Sequence, residues 1–438
     1  MNLLNINLGF YNLIKFALII IFVFNIFFSL NNFVVIDILT GMSILIIVLY
    51  IKILLSKNLN GFIKGISYFL VYSIIINYLL RFTSLSLWPY DFGGLLGDEN
   101  SIQRIPNQVE LLNSIFILVL FVIGLTIVLH LVNPLFKNSQ KYFNLFIKHL
   151  FRKHKLIIKG LLFFILLQII FSISFDWKMG SEAWKFGWIN RIIPMTFFSF
   201  LFYFIQIQYW NDLSRKYKTY SLLIYIGFII SSLIIGSRSG IYTVFFNFIF
   251  VLIIINPEIK IKFKKFLLLS LFILIFGLFT WIFGTAIRSG NQVISSNLIF
   301  IEIFIKISQR LGVVCDSFIA ITNNWNDCVN NDILKDVMSV SNIFPQFINT
   351  LVPGKIFDIS EFYIPAVYLR EYVFGFDNFI NNGDVWSGFG WFFVKYGYLS
   401  LIIFPLMFCM HFIFFKILLK LKGIFFYLAF FYLNWIMY

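Results

Sequence analysis

Arginine is distributed unevenly along this chain, and its positions indicate where an anion could bind. Apolar stretches alternate with polar loops, and every second loop carries most of the lysines. The remaining loops and helix ends hold Arg81, Arg104, Arg191, Arg238, Arg288, Arg310 and Arg370. A guanidinium is a planar fork of donors that holds phosphate oxygens in pairs and stays charged at any relevant pH. The pattern favours a phosphate-bearing ligand over the alternative that each arginine anchors its own helix at the membrane surface.

The sharpest local motif is the turn Gly236-Ser237-Arg238-Ser239-Gly240, which joins two apolar stretches. The glycines allow a tight backbone, and the free N–H groups at the start of the next helix attract anions. Arg238 adds a full positive charge at this point. The alternative is an ordinary hairpin turn that Ser239 caps.

A carboxylate that could remove a proton lies just before a late apolar stretch. Asp384 is flanked by small and aromatic residues in the run 381–390, and general bases are commonly carboxylates. The alternative is that Asp384 caps the following helix. Glu361 and Glu371 flank Arg370 in an aromatic stretch, 362–374, that could stack on a ring-shaped ligand or form an interfacial belt.

The remaining reactive residue types give weaker signals. Cys315 and Cys328 lie in one long loop, where they could pair as a disulfide or stay free. The four histidines lie in apolar stretches or lysine-rich loops. We therefore predict neither a metal site nor a cofactor.

Composition identifies the elements that must position these residues. Hydrophobic residues make up 60 % of the 438 residues and charged residues 12 %, too few to cover the surface of a soluble protein of this length. A transmembrane helix needs about 20 mostly apolar residues. The sequence predicts an all-α polytopic membrane protein with about eleven transmembrane helices. They are placed at 10–30, 33–55, 62–80, 111–132, 156–175, 192–209, 219–236, 241–255, 266–285, 389–414 and 423–438.

The charges also predict an orientation. Lysine and arginine in short loops mark the cytoplasmic side, and the lysine-rich loops fit a single alternation that begins with a cytoplasmic N-terminus. These segments include Lys52, Lys57, Lys64, Lys137, Lys416 and Lys420. The formal charge of +15 is thereby explained as a topology signal, and nucleic acid is not expected as a partner.

The alternation divides the chain into three regions. Residues 1–285 form a nine-helix transmembrane region, 286–388 a large non-cytoplasmic loop, and 389–438 the C-terminal transmembrane helices. Within the loop, 298–322 has a helical pattern, with Glu302, Lys306 and Arg310 on one face. We prefer a helix lying at the membrane interface to a further span, because a charge at the bilayer centre costs about 2.5–3.5 kcal/mol.

The arrangement resembles the Wzy-type O-antigen (oligosaccharide repeat unit) polymerases of the bacterial inner membrane. The resemblance rests on Gly236-Ser237-Arg238-Ser239, Arg288, Gln309-Arg310, and the run from Ser387-Gly388-Phe389-Gly390 into Lys395-Tyr396-Gly397. It implies a GT-C-like fold, a periplasmic location for the large loop, and a metal-independent glycosyltransferase. Such an enzyme moves a growing glycan from undecaprenyl diphosphate to a lipid-linked repeat unit. A chain-length regulator protein is a further partner that the resemblance suggests.

The resemblance also assigns roles to residues of this chain. Arg238, Arg288 and Arg310 would hold the donor diphosphate, and Arg370 or Arg191 the acceptor. Asp384 would be the base, so Asp384, Arg288 and Arg310 form the predicted catalytic set.

Three alternatives remain, a related enzyme, a transporter and an acyltransferase. An O-antigen ligase is similar in architecture but expects a histidine in the loop, and 286–388 has none. A lipid-linked oligosaccharide flippase needs charges that line a cavity within its spans. A membrane acyltransferase needs a histidine-based motif, which the sequence does not show.

Overall fold

A computed structural model of the chain describes residues 7–29, 36–87, 108–137, 139–174, 195–235, 238–262, 264–265, 268, 313–332 and 388–421. Apart from one small sheet, these residues form helices and the short turns between them. The helices are α1 Phe10–Ser29, α2 Ile36–Ser56, α3 Gly61–Ile74, α4 Leu80–Leu87, α5 Gln108–Val132, α6 Ser139–Arg152, α7 His154–Ser174, α8 Met195–Tyr209, α9 Arg215–Ile235, α10 Arg238–Ile255, α11 Val313–Asn323, α12 Trp325–Asn330, α13 Gly388–Tyr396 and α14 Ser400–Leu421.

Four of the described helical segments are long and apolar enough to cross a membrane. They are Ile38–Ser56, Gly61–Ser86, Gln108–Phe136 and Phe392–Leu421. Each predicted span contains a described helix, except those at 266–285 and 423–438, which lie almost wholly outside the described residues. The helical character of the chain is therefore confirmed, while the number of about eleven spans stays a prediction.

The helix ends fall into two groups at opposite ends of the bundle. The basic end, as we name it, is where α2 and α5 end and α3 begins. There Asn60 bonds to Asn133 through its backbone N–H and its side-chain amide, and Lys64 forms an ion pair with Glu258. The strand β1 (Asn7–Gly9) pairs antiparallel with β2 (Lys260–Lys262). The N-terminus and the segment after α10 therefore lie on the same side, as the predicted alternation requires.

The opposite end, as we name it, is where α4 ends and α5 begins. The third predicted span was expected to finish before Arg81, but the helical rod runs through a π-helical turn (Ile75–Leu79) into α4 and continues to Leu87. Thr83 and Ser86 are buried in this extension and bond to the carbonyls of Leu79 and Thr83. Hydroxyls that donate hydrogen bonds to the backbone of their own helix can lie in an apolar environment. The helix therefore continues through these polar residues.

Helix α6 was not predicted, because its sequence was assigned to a basic loop. Phe143, Phe146, Ile147 and Leu150 form its buried face, spaced as an amphipathic helix requires. This face packs against neighbouring helices through contacts such as the ring pair of Phe143 and Phe204. Helix α6 thus covers part of the basic end.

Small residues bring several helices into close contact. A Cβ on Gly65 of α3 would lie 2.9 Å from the backbone carbonyl oxygen of Ile253 and 2.9 Å from Cα of Ile254 in α10. Gly65 lies near the start of α3, whereas Ile253 and Ile254 lie near the end of α10. The two helices are therefore antiparallel, and their backbones meet at a glycine, as is common in membranes.

We expect Gly65→Ala to lower the thermal unfolding temperature of the purified protein. Its new methyl group meets backbone atoms, which cannot rotate away, and overpacking of this kind costs about 1–3 kcal/mol. Gly160→Ala in α7 is the matched control, since a Cβ at that position meets nothing within 4 Å. The control should be neutral or slightly stabilising, because alanine is the better helix former. Equal effects of the two substitutions would refute the close α3–α10 contact.

Candidate functional site

Most of the predicted site lies outside the described residues. This holds for Arg191, Arg288, Arg310, Arg370 and Asp384, so their proximity stays a prediction. Arg238 is the first residue of α10, whereas the sequence placed it in a turn before a helix at 241–255, and its side chain is not described. The antiparallel packing of α3 and α10 places the start of α10 at the opposite end of the bundle, the end that holds Arg81.

A buried ion pair is the most prominent polar feature at the opposite end. Arg81 donates from Nε to Oδ1 of Asp316 at 2.7 Å and from Nη2 to Oδ2 at 2.9 Å. The side chains are 3 % and 13 % exposed. Such a two-point pair is the strongest geometry available to a guanidinium and a carboxylate. The ligand of this predicted anion-binding arginine is thus a carboxylate of the chain itself.

The pair links distant parts of the sequence. Arg81 lies in α4, at the end of a candidate membrane span, whereas Asp316 lies in α11, within the predicted large loop. Burial raises the pKa of the Asp316 carboxyl, and the guanidinium of Arg81 acts in the other direction. Arg81 is therefore the group that favours the ionised form of this buried acid.

The π-helical turn contributes to the same contact. Widened turns of this kind shift the backbone hydrogen bonds of a helix and often occur at functional sites. The thiol of Cys315 points to the carbonyl oxygen of Tyr78 in this turn, at 3.9 Å. The Tyr78 ring meets Phe318 edge-on, with 5.5 Å between the ring centroids. Helix α11 is therefore seated against the turn as well as against Arg81.

A second polar seam joins α11 to the beginning of α5. The hydroxyls of Ser114 and Thr322 are 2.7 Å apart, and both residues are buried. Asn323 donates to the carbonyl oxygen of Glu110 at 3.0 Å, and Asn113 donates to the side-chain oxygen of Asn323 at 3.1 Å. Because these bonds are directional, they fix the register of α11 against α5.

Helix α11 is thus a buried element and not a surface one. Cys315, Phe318, Ile319, Ile321 and Thr322 are each 3 % exposed or less. These residues belong to 313–322, the later part of the predicted interfacial helix at 298–322. The earlier part, with its three charged residues, lies outside the described residues, so the interfacial placement of that part stays a prediction.

The two loop cysteines are free thiols. Cys315 and Cys328 are both buried and are not joined to each other. Burial raises the pKa of the Cys315 thiol well above its ordinary value and that of Cys328 to about 12. Such thiols are inert to alkylation and oxidation, so they serve the packing of α11 and α12.

A buried lysine marks the basic end. Lys52 was assigned to the cytoplasmic end of the span predicted at 33–55, and it lies about one turn before the end of α2 with 2 % exposure. Its Nζ has no hydrogen-bond partner among the described residues. Buried intramembrane charges are rare and commonly functional.

Sequence reasoning identified Arg81 but missed Asp316. The signal was present, since Asp316 is the one acidic residue in the apolar run 313–322. An acid in such a run is expected to face a partner of opposite charge, and an arginine at a helix end was available. The Arg81–Asp316 pair and the hydrogen bonds between α11 and α5 together form a packed support at the opposite end. The residues that precede α11 and α13 in the sequence could be positioned by this support.

The function of this support is not indicated by a metal site among the described residues or by similarity to a known protein. Among the described residues, no three His, Cys, Asp or Glu side chains are close enough to hold a metal ion. Comparison with known proteins gives no matching family model, curated protein or solved structure.

Removing one partner of the buried pair should destabilise the protein strongly. Arg81→Ala leaves the Asp316 carboxylate buried without its counter-charge, which typically costs about 3–5 kcal/mol. We expect a large fall in the thermal unfolding temperature. Replacing both partners by apolar residues, as in Arg81→Met with Asp316→Leu, should restore most of it.

The ion pair of Lys64 and Glu258 is the control, since Lys64 is 13 % exposed but its partner Glu258 is 74 % exposed. Pairs that water reaches in this way contribute about 0–1 kcal/mol. Glu258→Ala should therefore leave the unfolding temperature almost unchanged. A double apolar variant as unstable as Arg81→Ala would show that the unpaired carboxylate of Asp316 is not the cause of the instability.

The cysteines should resist alkylation in the folded protein. With a pKa of about 12, Cys328 is almost wholly protonated at pH 8.5, and burial also excludes the reagent. Mass spectrometry after maleimide treatment should find both loop cysteines unlabelled until the protein is denatured, and then both labelled without a reductant. A requirement for reductant would indicate a disulfide.

Proposed function

We propose that the chain is an O-antigen polymerase of the Wzy type. It transfers a growing glycan from undecaprenyl diphosphate to a lipid-linked repeat unit at the periplasmic face. The proposal includes about eleven transmembrane helices, a GT-C-like fold, the bacterial inner membrane and a cytoplasmic N-terminus. A chain-length regulator protein is a proposed partner.

The supporting observation is the anchoring of α11 to the membrane helices at the end where α10 begins with Arg238. Asp316 and Asn323 tie this loop segment to α4 and α5, and α11 also packs against α13. A loop held in this way can present its side chains at the membrane surface. A lipid diphosphate has its charged group at that level.

The neighbouring sequence supplies the chemistry. Arg310 precedes α11 by three residues, and Asp384 precedes α13 by four. An extended chain advances at most about 3.6 Å per residue, so three residues reach about 11 Å and four about 14 Å. The contact between α11 and α13 thus favours a common site for the two residues.

The proposed step is a displacement at the anomeric carbon of the donor glycan. A hydroxyl of the acceptor repeat unit forms the new C–O bond, and its proton passes to Asp384. The bond from the anomeric carbon to the diphosphate breaks with its electron pair, and undecaprenyl diphosphate leaves. Arg238, Arg288 and Arg310 stabilise the negative charge that develops on the leaving group. Arg370 or Arg191 positions the acceptor.

A flippase for the same lipid is the second candidate, and Lys52 is the observation that favours it. This lysine is buried within a candidate span and has no described hydrogen-bond partner. Arg81 does not add to that argument, because Asp316 already engages its guanidinium. The two functions differ in phenotype. A strain that lacks the flippase makes no periplasmic repeat unit, whereas one that lacks the polymerase attaches single units.

We expect Arg288→Ala and Arg310→Ala to abolish long polysaccharide while the protein remains in the membrane. The reason is the loss of charge stabilisation at the leaving diphosphate, where removing one such donor commonly slows the reaction about 10²–10³-fold. Lipopolysaccharide from the complemented deletion strain, separated on a gel, should show a single repeat unit.

Arg152→Ala is the control for this experiment. Arg152 is exposed at the end of α6, on the proposed cytoplasmic side, so chain lengths should match the wild type. Normal chain lengths in the Arg288 and Arg310 variants would refute the proposed site. The absence of even single repeat units would favour the flippase.

A further inference from the structure

A cavity of about 270 Å³ lies at the basic end, away from the proposed glycan site. Its described lining residues are Pro134, Leu135, Lys137, Tyr142, Lys416, Leu419 and Lys420. They come from the turn after α5, from the first residues of α6 and from the end of α14. Three separate elements thus converge on a small, cationic space.

The charges in this cavity are of one sign. Lys416 and Lys420 are four residues apart on α14 and so share a face, where like charges disfavour each other. Lys137 is brought to them from another element. None of the described lining residues is acidic, and no described carboxylate forms an ion pair with these lysines. An anion that entered this space would therefore be attracted by charges of one sign.

Helix-end effects account for only part of this arrangement. A lysine in the last turn of a helix interacts favourably with the helix dipole and the free carbonyl groups, which explains Lys420 of α14. They do not explain why Lys137 and Tyr142, from other elements, border the same space.

The surroundings of the cavity indicate the source of the anion. Ile413, Ile417 and Leu421 form an exposed apolar stripe on α14 beside the two lysines, and Leu131 near the end of α5 is also exposed. Exposed apolar stripes on a membrane helix contact acyl chains. A phosphate in the lysine cavity would therefore have hydrocarbon next to it, as in a lipid.

We propose that the cavity binds the phosphate head group of an anionic membrane lipid, whose acyl chains cover the stripe on α14. Lys137, Lys416 and Lys420 neutralise the phosphate, and the Tyr142 hydroxyl can donate to it. Basic pockets between transmembrane helices are suited to such head groups. The site is independent of the glycan chemistry at the other end of the bundle.

The test measures lipid binding by the full-length purified protein in detergent micelles. Thermal unfolding is followed while phosphatidylglycerol or phosphatidylcholine is titrated into the micelles. Phosphatidylglycerol should raise the unfolding temperature at lower concentrations than phosphatidylcholine. No difference between the two lipids would overturn the proposal.

The main variant is Lys137→Gln with Lys420→Gln, because both side chains are exposed and their loss leaves the packing intact. A lysine near a membrane surface contributes about 1 kcal/mol to anionic lipid binding, so the pair should weaken phosphatidylglycerol binding on the order of thirtyfold. Lys416→Arg keeps the charge and should bind like the wild type. It also provides a binding result that does not depend on the folding of the double variant.

The control variant is Lys148→Gln with Lys153→Gln, which removes two exposed lysines at the same end that do not line the cavity. This variant should bind phosphatidylglycerol within about twofold of the wild type, because it keeps every proposed contact to the head group. An equal loss in both double variants would mean a diffuse surface charge and would overturn the site.

A final arm uses inorganic phosphate in place of lipid, at the same phosphate concentration. The proposal expects no comparable stabilisation, because the acyl chains contribute to binding. Full stabilisation by inorganic phosphate would overturn the lipid as the ligand and assign a soluble anion instead.

Discussion

The opposite end of the structure depends on one constraint, which is that a polar or charged group in hydrocarbon costs free energy unless it finds a partner within the chain. For the backbone, helices meet this constraint. For side chains, the same constraint produces the bonds of Thr83 and Ser86 to their own helix and the two-point pair of Arg81 with Asp316. The polar groups at the opposite end are therefore satisfied locally, and their partners decide where α11 lies.

The apolar helices could be predicted from the sequence because a run of about 20 apolar residues has few other possible structures. The glycines around Arg238 indicated a tight connection before α10, although the helix begins within the predicted turn and not after it. The extension of α3 into α4 could not, because Arg81 and the following serines resemble a loop until their partners are known. Helix α6 was missed for a similar reason. Its basic residues led to the assignment of a loop, although Phe143, Phe146 and Leu150 have the spacing of one helical face.

Less of the candidate site than of the fold could be predicted from the sequence. The binding of an anion by the arginines stays a prediction, and the described arginine with a visible partner, Arg81, binds a carboxylate of the chain. Periodicity cannot reveal this, because Asp316 is 235 residues away in sequence. For Arg288, Arg310 and Asp384 the proposed roles rest on the resemblance and on the neighbouring anchored helices. The chemistry of a diphosphate leaving group and the location of the anchored loop are consistent with each other.

The separation of Arg81 and Asp316 has a consequence for how the protein is made. A ribosome adds about 5–20 residues per second, so roughly 12 to 47 seconds pass between the synthesis of the arginine and that of its partner, 235 residues later. During this interval the candidate span Gly61–Ser86 already carries a cation that is buried only in the finished fold. Until α11 has been translated, the guanidinium of Arg81 therefore needs water or another partner in place of Asp316.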